Sequence, residues 1–74
     1  MIADHLLRRM WLYDGEDRRV EVWLRHDGQW FVSSLRRRDG KAGWIEMHSH
    51  QTDSQVAAMA TAEMWKMEAQ QEMP

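Results

Sequence analysis

Three Asp-Gly dipeptides constrain the fold more than any other feature of this sequence. They occur at Asp14-Gly15, Asp27-Gly28 and Asp39-Gly40, between segments in which apolar and polar residues alternate. Asp-Gly supplies the positive φ angles that tight hairpin turns require. Its regular recurrence predicts an antiparallel meander of three or four strands.

The rest of the chain completes an α+β fold, expected to be a single domain over residues 1–74. Three strands and a long C-terminal helix are predicted over residues 18–26, 29–37, 44–50 and 53–72. Thr52 and Gln55 form a capping-box pattern at the start of the helix, and strong helix formers follow. Residues 5–13 are either a first strand or a short helix capped by Asp4. The strand is preferred, which gives ββββα, with αβββα as the rival.

The middle hairpin predicts which side chains face the core. A two-residue loop at Asp27-Gly28 produces one mostly apolar face, made of Val20, Val22, Leu24, Phe31, Ser33 and Leu35. The opposite face then carries Glu21, Trp23, Arg25, Trp30, Val32 and Ser34. On that face Arg25 is expected to pack on the indole of Trp30 as a cation–π pair.

The last strand and the helix extend this assignment. Ile45 and Met47 are expected to face the core, because burying Glu46 or His48 without a partner would cost several kcal/mol. The residues expected to face outward are therefore Trp44, Glu46, His48 and His50. The helix has two apolar stripes, one of Val56, Ala60, Met64 and Met67 and one of Ala58, Ala62, Trp65 and Ala69. Because a small sheet covers only one side, we expect either Trp65 or the Val56-Met64-Met67 stripe to stay on the surface and contribute to an interface.

Composition narrows the classes of function. The chain has no cysteine, so disulfides and thiolate chemistry are excluded, and a reducing cytoplasm is the expected location. No apolar run precedes the first charges, which argues against a secretory signal. No nucleophile motif or phosphate-binding loop is found, so we expect a protein that is not an enzyme and needs no cofactor. His48 and His50 share one side of a strand, but two residues at that spacing are a weak signal for a metal site.

A basic cluster surrounds the third Asp-Gly turn, and it consists of Arg36, Arg37, Arg38 and Lys41. With Trp30 and Trp44 nearby, it resembles the basic and aromatic patches of nucleic-acid-binding proteins. However, the net charge is −2, and residues 52–58 lack the cations with which double-stranded-RNA-binding domains grip phosphates at their last helix. The alternative prediction for the cluster is that it steers the protein to an acidic partner surface.

Five tryptophans and seven methionines in 74 residues indicate a surface for protein contact, because a core this small does not hide them all. The predicted partner-binding residues are Trp23, Arg25, Trp30, Arg36, Arg37, Arg38, Lys41, Trp44 and Trp65.

In size, composition and architecture the chain resembles small phage-encoded proteins that bind and take over molecular complexes of the host. Examples are the RNA-polymerase-binding regulator of a Xanthomonas phage and the short anti-CRISPR proteins. The resemblance implies a regulator that docks on a host complex in the cytoplasm, with RNA polymerase the first candidate, and that changes transcription initiation or termination by occlusion or factor displacement. It has no diagnostic motif and assigns no residue.

Overall fold

The structure, a computed structural model, describes residues 7–38 and 42–71. Its elements in chain order are β1 (Leu7–Asp14), β2 (Arg18–Arg25), β3 (Trp30–Arg37), β4 (Trp44–Thr52) and α1 (Gln55–Gln71). Each strand pairs antiparallel with the next, which gives the sheet order β1-β2-β3-β4. The predicted ββββα meander is confirmed, and its first element is a strand.

The core lies between the sheet and α1, which crosses β2, β3 and β4. Its central cluster consists of Val20, Val22, Trp30, Val32, Ala58 and Ala62, with half-buried Trp11, Tyr13, Leu24, Met59 and Trp65 packed against it. Alanine side chains let the helix approach the sheet closely, and the Trp30 indole fills space beneath it. We call the covered side of the sheet the helix side and the opposite side the open face.

The hairpin between β2 and β3 has a three-residue loop and not the predicted two-residue loop. The Arg25 amide donates to the carbonyl of Gln29 at 2.9 Å, and the Gly28 amide donates to the carbonyl of Arg25 at 3.0 Å. Gly28 has a φ of 90°, the left-handed conformation that closes such loops. The Asp27 carboxylate accepts a bond from the Gln29 amide at 3.1 Å and stabilises the turn. Asp-Gly fits both loop lengths, which is why the shorter one was predicted.

One additional loop residue inverts the predicted faces of β3. In the observed register Leu24 lies opposite Trp30, and Val22 lies opposite Val32. The prediction that Val20 and Val22 of β2 face the core is confirmed, since both are fully buried. The predicted place of Trp30 is wrong, because its side chain is 9% exposed and belongs to the core. The residues that move from the predicted core face to the open face are Phe31, Ser33 and Leu35.

A β-bulge divides β4 into two parts, and the predicted side-chain directions hold before the bulge but not after it. Ser34 pairs with His48, whereas Leu35 pairs with Glu46, so Met47 is the extra residue. Before the bulge, Glu46 and Trp44 are on the open face, as predicted. Ile45 is on the helix side as predicted, but it remains 38% exposed.

Beyond the bulge the outward prediction for the two histidines is wrong. His48 and His50 lie opposite Ser34 and Val32 and therefore face the helix side. Both remain exposed because β4 is an edge strand, so they avoid the desolvation on which the prediction was based. The His48 ring also contacts Trp65, with 5.8 Å between the ring centroids.

Ser54 caps α1, in place of the predicted Thr52. The Ser54 hydroxyl accepts a bond from the Ala57 amide at 3.1 Å, and the Ser54 carbonyl accepts one from Ala58 at 3.0 Å. Thr52 instead accepts a bond from the Ser54 amide at 3.1 Å and fixes the entry into the helix. Within the described ranges, no helix is long and apolar enough to span a membrane.

We expect Ser54→Ala to lower the free energy of unfolding by about 1 kcal/mol, because it leaves the Ala57 amide without its capping oxygen. Urea denaturation followed by far-UV circular dichroism measures the change. Ser49→Ala, at an exposed position of β4, serves as the control, with an expected change within about 0.5 kcal/mol. A larger loss for Thr52→Ala than for Ser54→Ala would show that Thr52 is the cap.

Candidate functional site

The open face is the most distinctive surface of the described chain. Strand register places on it, in order along the chain, Leu7, Arg9, Leu12, Asp14, Arg19, Glu21, Trp23, Arg25, Phe31, Ser33, Leu35, Arg37, Trp44, Glu46, Ser49 and Gln51. Within residues 7–38 and 42–71, no other element lies over this face, and the molecule is only 15 Å thick along its shortest axis. The face is therefore an uncovered platform that combines aromatic rings with charges of both signs.

Arginine side chains cover the aromatic rings of the open face. Arg9 lies over Trp23, with 5.8 Å from the guanidinium carbon to the ring centroid, and Arg25 lies over Phe31 at 5.6 Å. The indole of Trp44 contacts two arginines, described below. Each such contact contributes about 0.5–1 kcal/mol at an exposed site, and it restricts the rotamers of the arginine.

Glu21 organises the centre of the face. Its side chain is only 13% exposed and forms ion pairs with Arg9 at 3.4 Å and with Arg19 at 3.5 Å. Its other oxygen accepts a bond from the indole nitrogen of Trp23 at 3.0 Å. The carboxylate therefore holds three neighbours in place and neutralises much of the positive charge at the middle of the sheet.

Arg19 connects this central group to one corner of the face. Its Nε lies 3.5 Å from Glu21 and 3.7 Å from Asp14. Among the described residues this Nε is the one buried side-chain nitrogen or oxygen without a hydrogen bond. The two carboxylates therefore offset the cost of burying it through charge attraction alone. The guanidinium carbon of Arg19 is also 5.4 Å from the Trp44 ring centroid.

Arg37 is fixed in position although its side chain is exposed. Its Nε donates to the carbonyl of Glu16 at 2.9 Å, and its backbone amide donates to the carbonyl of Asp17 at 3.0 Å. Its guanidinium carbon is 4.8 Å from the centroid of Trp44. No carboxylate in the described part of the chain lies within 4.0 Å of this guanidinium, so its charge is held in place without being neutralised there.

The structure brings together only some of the residues predicted to bind a partner. Those on the open face are Trp23, Arg25, Arg37 and Trp44. Trp30 is in the core, and Trp65, a residue of α1, is half-buried against the core cluster. Arg36 and Arg38 are exposed at the end of β3, whereas Lys41 lies outside the described residues.

Sequence reasoning missed several residues of the same face, namely Arg9, Arg19, Glu21 as an organising group, and Phe31. Alternation within β2 would have found Arg19. Arg9 lies on this face because of a β-bulge at Met10 in β1, and strict alternation from Leu12 would have placed Met10 and Arg8 there instead. Phe31 was missed for another reason, since the one-residue error in register placed it in the core.

A second apolar surface lies on the outside of α1. Val56, Met64 and Met67 are 80%, 50% and 56% exposed, whereas Ala58 and Ala62 are fully buried. The prediction that this stripe stays on the surface is confirmed. Its contribution to an interface remains a prediction.

His26, His48 and His50 are the histidines within the described ranges, and they belong to no wider cluster of possible metal ligands. Among residues 7–38 and 42–71 there is no group of three or more His, Cys, Asp or Glu side chains placed to hold a metal ion.

Comparison with known proteins identifies no similar protein. No protein-family model matches the chain, and no curated protein or solved structure matches it significantly.

Proposed function

We propose that this protein is a small non-enzymatic regulator that binds another protein through its open face. The observation that carries the proposal is the set of four arginine–aromatic contacts on a sheet face that α1 leaves uncovered. Trp, Phe and Arg are the residue types enriched in interface centres and among the side chains that dominate binding energy. Ion pairs and ring contacts already restrict these side chains in the free protein, so binding costs less side-chain conformational entropy.

A protein partner fits this face better than a nucleic acid does. Glu21 and Asp14 interrupt the positive charge along the sheet, whereas a phosphate backbone requires a continuous basic track. The rings of Trp23, Phe31 and Trp44 are also covered by guanidinium groups, which leaves them less available for base stacking. A mixed pattern of charges instead matches the polar and aromatic character of protein interfaces.

The partner class that we propose is a host nucleic-acid machine, with RNA polymerase as the first to be tested. This part rests on the resemblance in size, composition and architecture to small phage regulators. The action would be occlusion in the host cytoplasm, since a thin platform bound flat on a larger complex prevents a factor or a nucleic acid from using the same surface.

Site-specific photo-crosslinking tests the proposal and captures the partner in the same experiment. A benzophenone amino acid replaces Ser33, in the centre of the open face, or Asp53, which is exposed in the turn before α1 and serves as the control. We expect adducts from bacterial lysate at position 33 that are sensitive to protease and resistant to nuclease. Excess unlabelled protein should suppress them, whereas Trp23→Ala should compete at least about 30-fold less well, the loss expected for a residue that dominates binding.

Two results would contradict the proposal. Adducts of equal yield at positions 33 and 53 would show that the open face is not the docking surface. Adducts removed by nuclease would instead favour the alternative function of a small nucleic-acid-binding domain. Polymerase subunits among the adducts would support the specific partner, and their absence would exclude it while leaving the docking face in place.

A further inference from the structure

We propose that the partner presents a carboxylate-bearing protein segment to Arg37 and Arg19 at the ring of Trp44. This inference rests on the proposed function, because it identifies the chemistry that one corner of the open face recognises. We call this corner the Arg–Trp–Arg corner. The expected ligand is an Asp or Glu side chain flanked by neutral residues, and Arg37 is its main contact.

The corner is formed where three strands converge. β3 contributes Arg37, which lies directly opposite Trp44 of β4. β2 contributes Arg19, which pairs with Leu35 on the other edge of β3 and reaches Trp44 across that strand. The two guanidinium carbons are 4.8 and 5.4 Å from the same indole centroid. The ring therefore has two guanidinium groups beside it at the boundary of the platform, and the positive charge that stays uncompensated there, on Arg37, selects an anionic group.

The two arginines differ in how much of their charge is already compensated. Arg19 has Glu21 and Asp14 within 3.7 Å, so it contributes mainly the shape and potential of the corner. Arg37 uses its Nε on the carbonyl of Glu16, a neutral acceptor, which leaves its terminal nitrogens without a carboxylate from the described residues. A guanidinium in this state can bind a carboxylate through two parallel hydrogen bonds.

Arg37 is also preorganised for such binding. Two elements hold its side chain, the turn after β1 through Glu16 and the indole of Trp44. An ordinary exposed arginine loses rotamer freedom on binding, and much of that loss has already occurred here. The neighbouring Arg38 is equally charged and exposed, and its backbone amide, not its guanidinium, donates to the carbonyl of Gly43. This makes Arg38 a matched control of the same charge.

A single carboxylate suits this corner better than a phosphodiester chain does. The acidic side chains that follow along the sheet, Asp14 and Glu21, would repel the next phosphates of a nucleic acid. A protein segment avoids this repulsion, because it can place one acidic residue at the corner and neutral residues beyond it.

Fluorescence anisotropy with defined probes tests the inference on the full chain. The probe is a fluorescein-labelled ten-residue peptide with one central Glu among Ala and Ser residues, and the control peptide carries Gln in place of that Glu. We expect Arg37→Gln to weaken binding of the acidic peptide about tenfold, the loss associated with a charge-assisted hydrogen-bond pair. Arg38→Gln, with the same net charge, should change it less than about twofold, as expected for a solvated surface charge. Arg37→Lys should recover only part of the loss, because an ammonium keeps the charge but not the fork.

Several outcomes would overturn the inference. No binding of the acidic peptide, equal binding of the Gln peptide, or equal losses for Arg37→Gln and Arg38→Gln would each remove the corner as a carboxylate site. Tighter binding of a fluorescein-labelled ten-nucleotide oligothymidine that also depends on Arg37 would show that the corner takes phosphate. Circular dichroism of every variant separates these results from unfolding. If the position-33 crosslinks persist while the peptide result fails, the docking face stands and only its ligand chemistry is wrong.

Discussion

Trp30→Ala is expected to lower the free energy of unfolding by about 3–5 kcal/mol, the largest effect expected of a single substitution in this core. Trp30 is 9% exposed and lies in a core cluster whose other members are valines and alanines. These small neighbours cannot collapse into the volume of an indole, so a cavity would remain. A domain of this length is stable by about 4–11 kcal/mol in total, so the loss would remove a large part of it.

Thermal unfolding followed by far-UV circular dichroism measures this effect, since tryptophan fluorescence is itself altered by the substitution. We expect the melting temperature to fall by roughly 15–30 °C. The matched control is Trp23→Ala, which removes the same side chain from the open face and should cost about 1 kcal/mol. Equal losses of about 1 kcal/mol for the two variants would favour the two-residue loop register, which places both indoles on the open face. A larger loss for Trp23→Ala would show that the core lies on the other side of the sheet.

The contrast between Trp23 and Trp30 also shows how far the sequence determined the faces of the sheet. Alternation alone placed Val20, Val22 and Trp23 correctly, because their strand is fixed by its own apolar pattern. The next strand depends on the loop length at Asp27-Gly28, and this dipeptide is suited to both two- and three-residue hairpins. Since a shift of one residue inverts every side chain, a single ambiguous turn was enough to misplace Trp30.

The error at Trp30 also explains why the buried stripe of the helix could not be chosen from sequence. Met64 and Met67 are larger and more apolar than Ala58 and Ala62, so hydrophobicity favours the methionine stripe for the core. The helix side of the sheet, however, already contains the Trp30 indole, which fills the space that large helix residues would need. Small residues therefore face the sheet, and the methionines remain outside. The choice depends on volumes across the interface, which no local pattern of the helix contains.

For the candidate site, the sequence predicted on which face some residues lie but not which contacts they make. Trp23 and Trp44 were placed on the open face by alternation within single strands. The contacts that give the face its character were not predictable, because Arg19 reaches Trp44 across β3 and Glu21 holds Arg9 from the neighbouring strand. Such contacts require the register of the whole sheet, and each of the two β-bulges changes it.

Ala62→Leu is expected to lower the free energy of unfolding by about 1–3 kcal/mol, even though leucine is more hydrophobic and a strong helix former. Ala62 is fully buried against the sheet, so the added carbon atoms must displace either α1 or Trp30. Urea denaturation followed by far-UV circular dichroism measures the change.

The same substitution on the opposite side of the helix separates crowding from helix propensity. Ala60 is exposed and borders the Val56-Met64-Met67 stripe, so Ala60→Leu should change the free energy of unfolding by no more than about 0.5 kcal/mol. Both variants change the intrinsic preference for helix equally, and they differ only in whether the side chain points at the sheet. A neutral or stabilising Ala62→Leu would mean that the helix has room to move away from the sheet, and the close approach inferred from its alanines would be wrong.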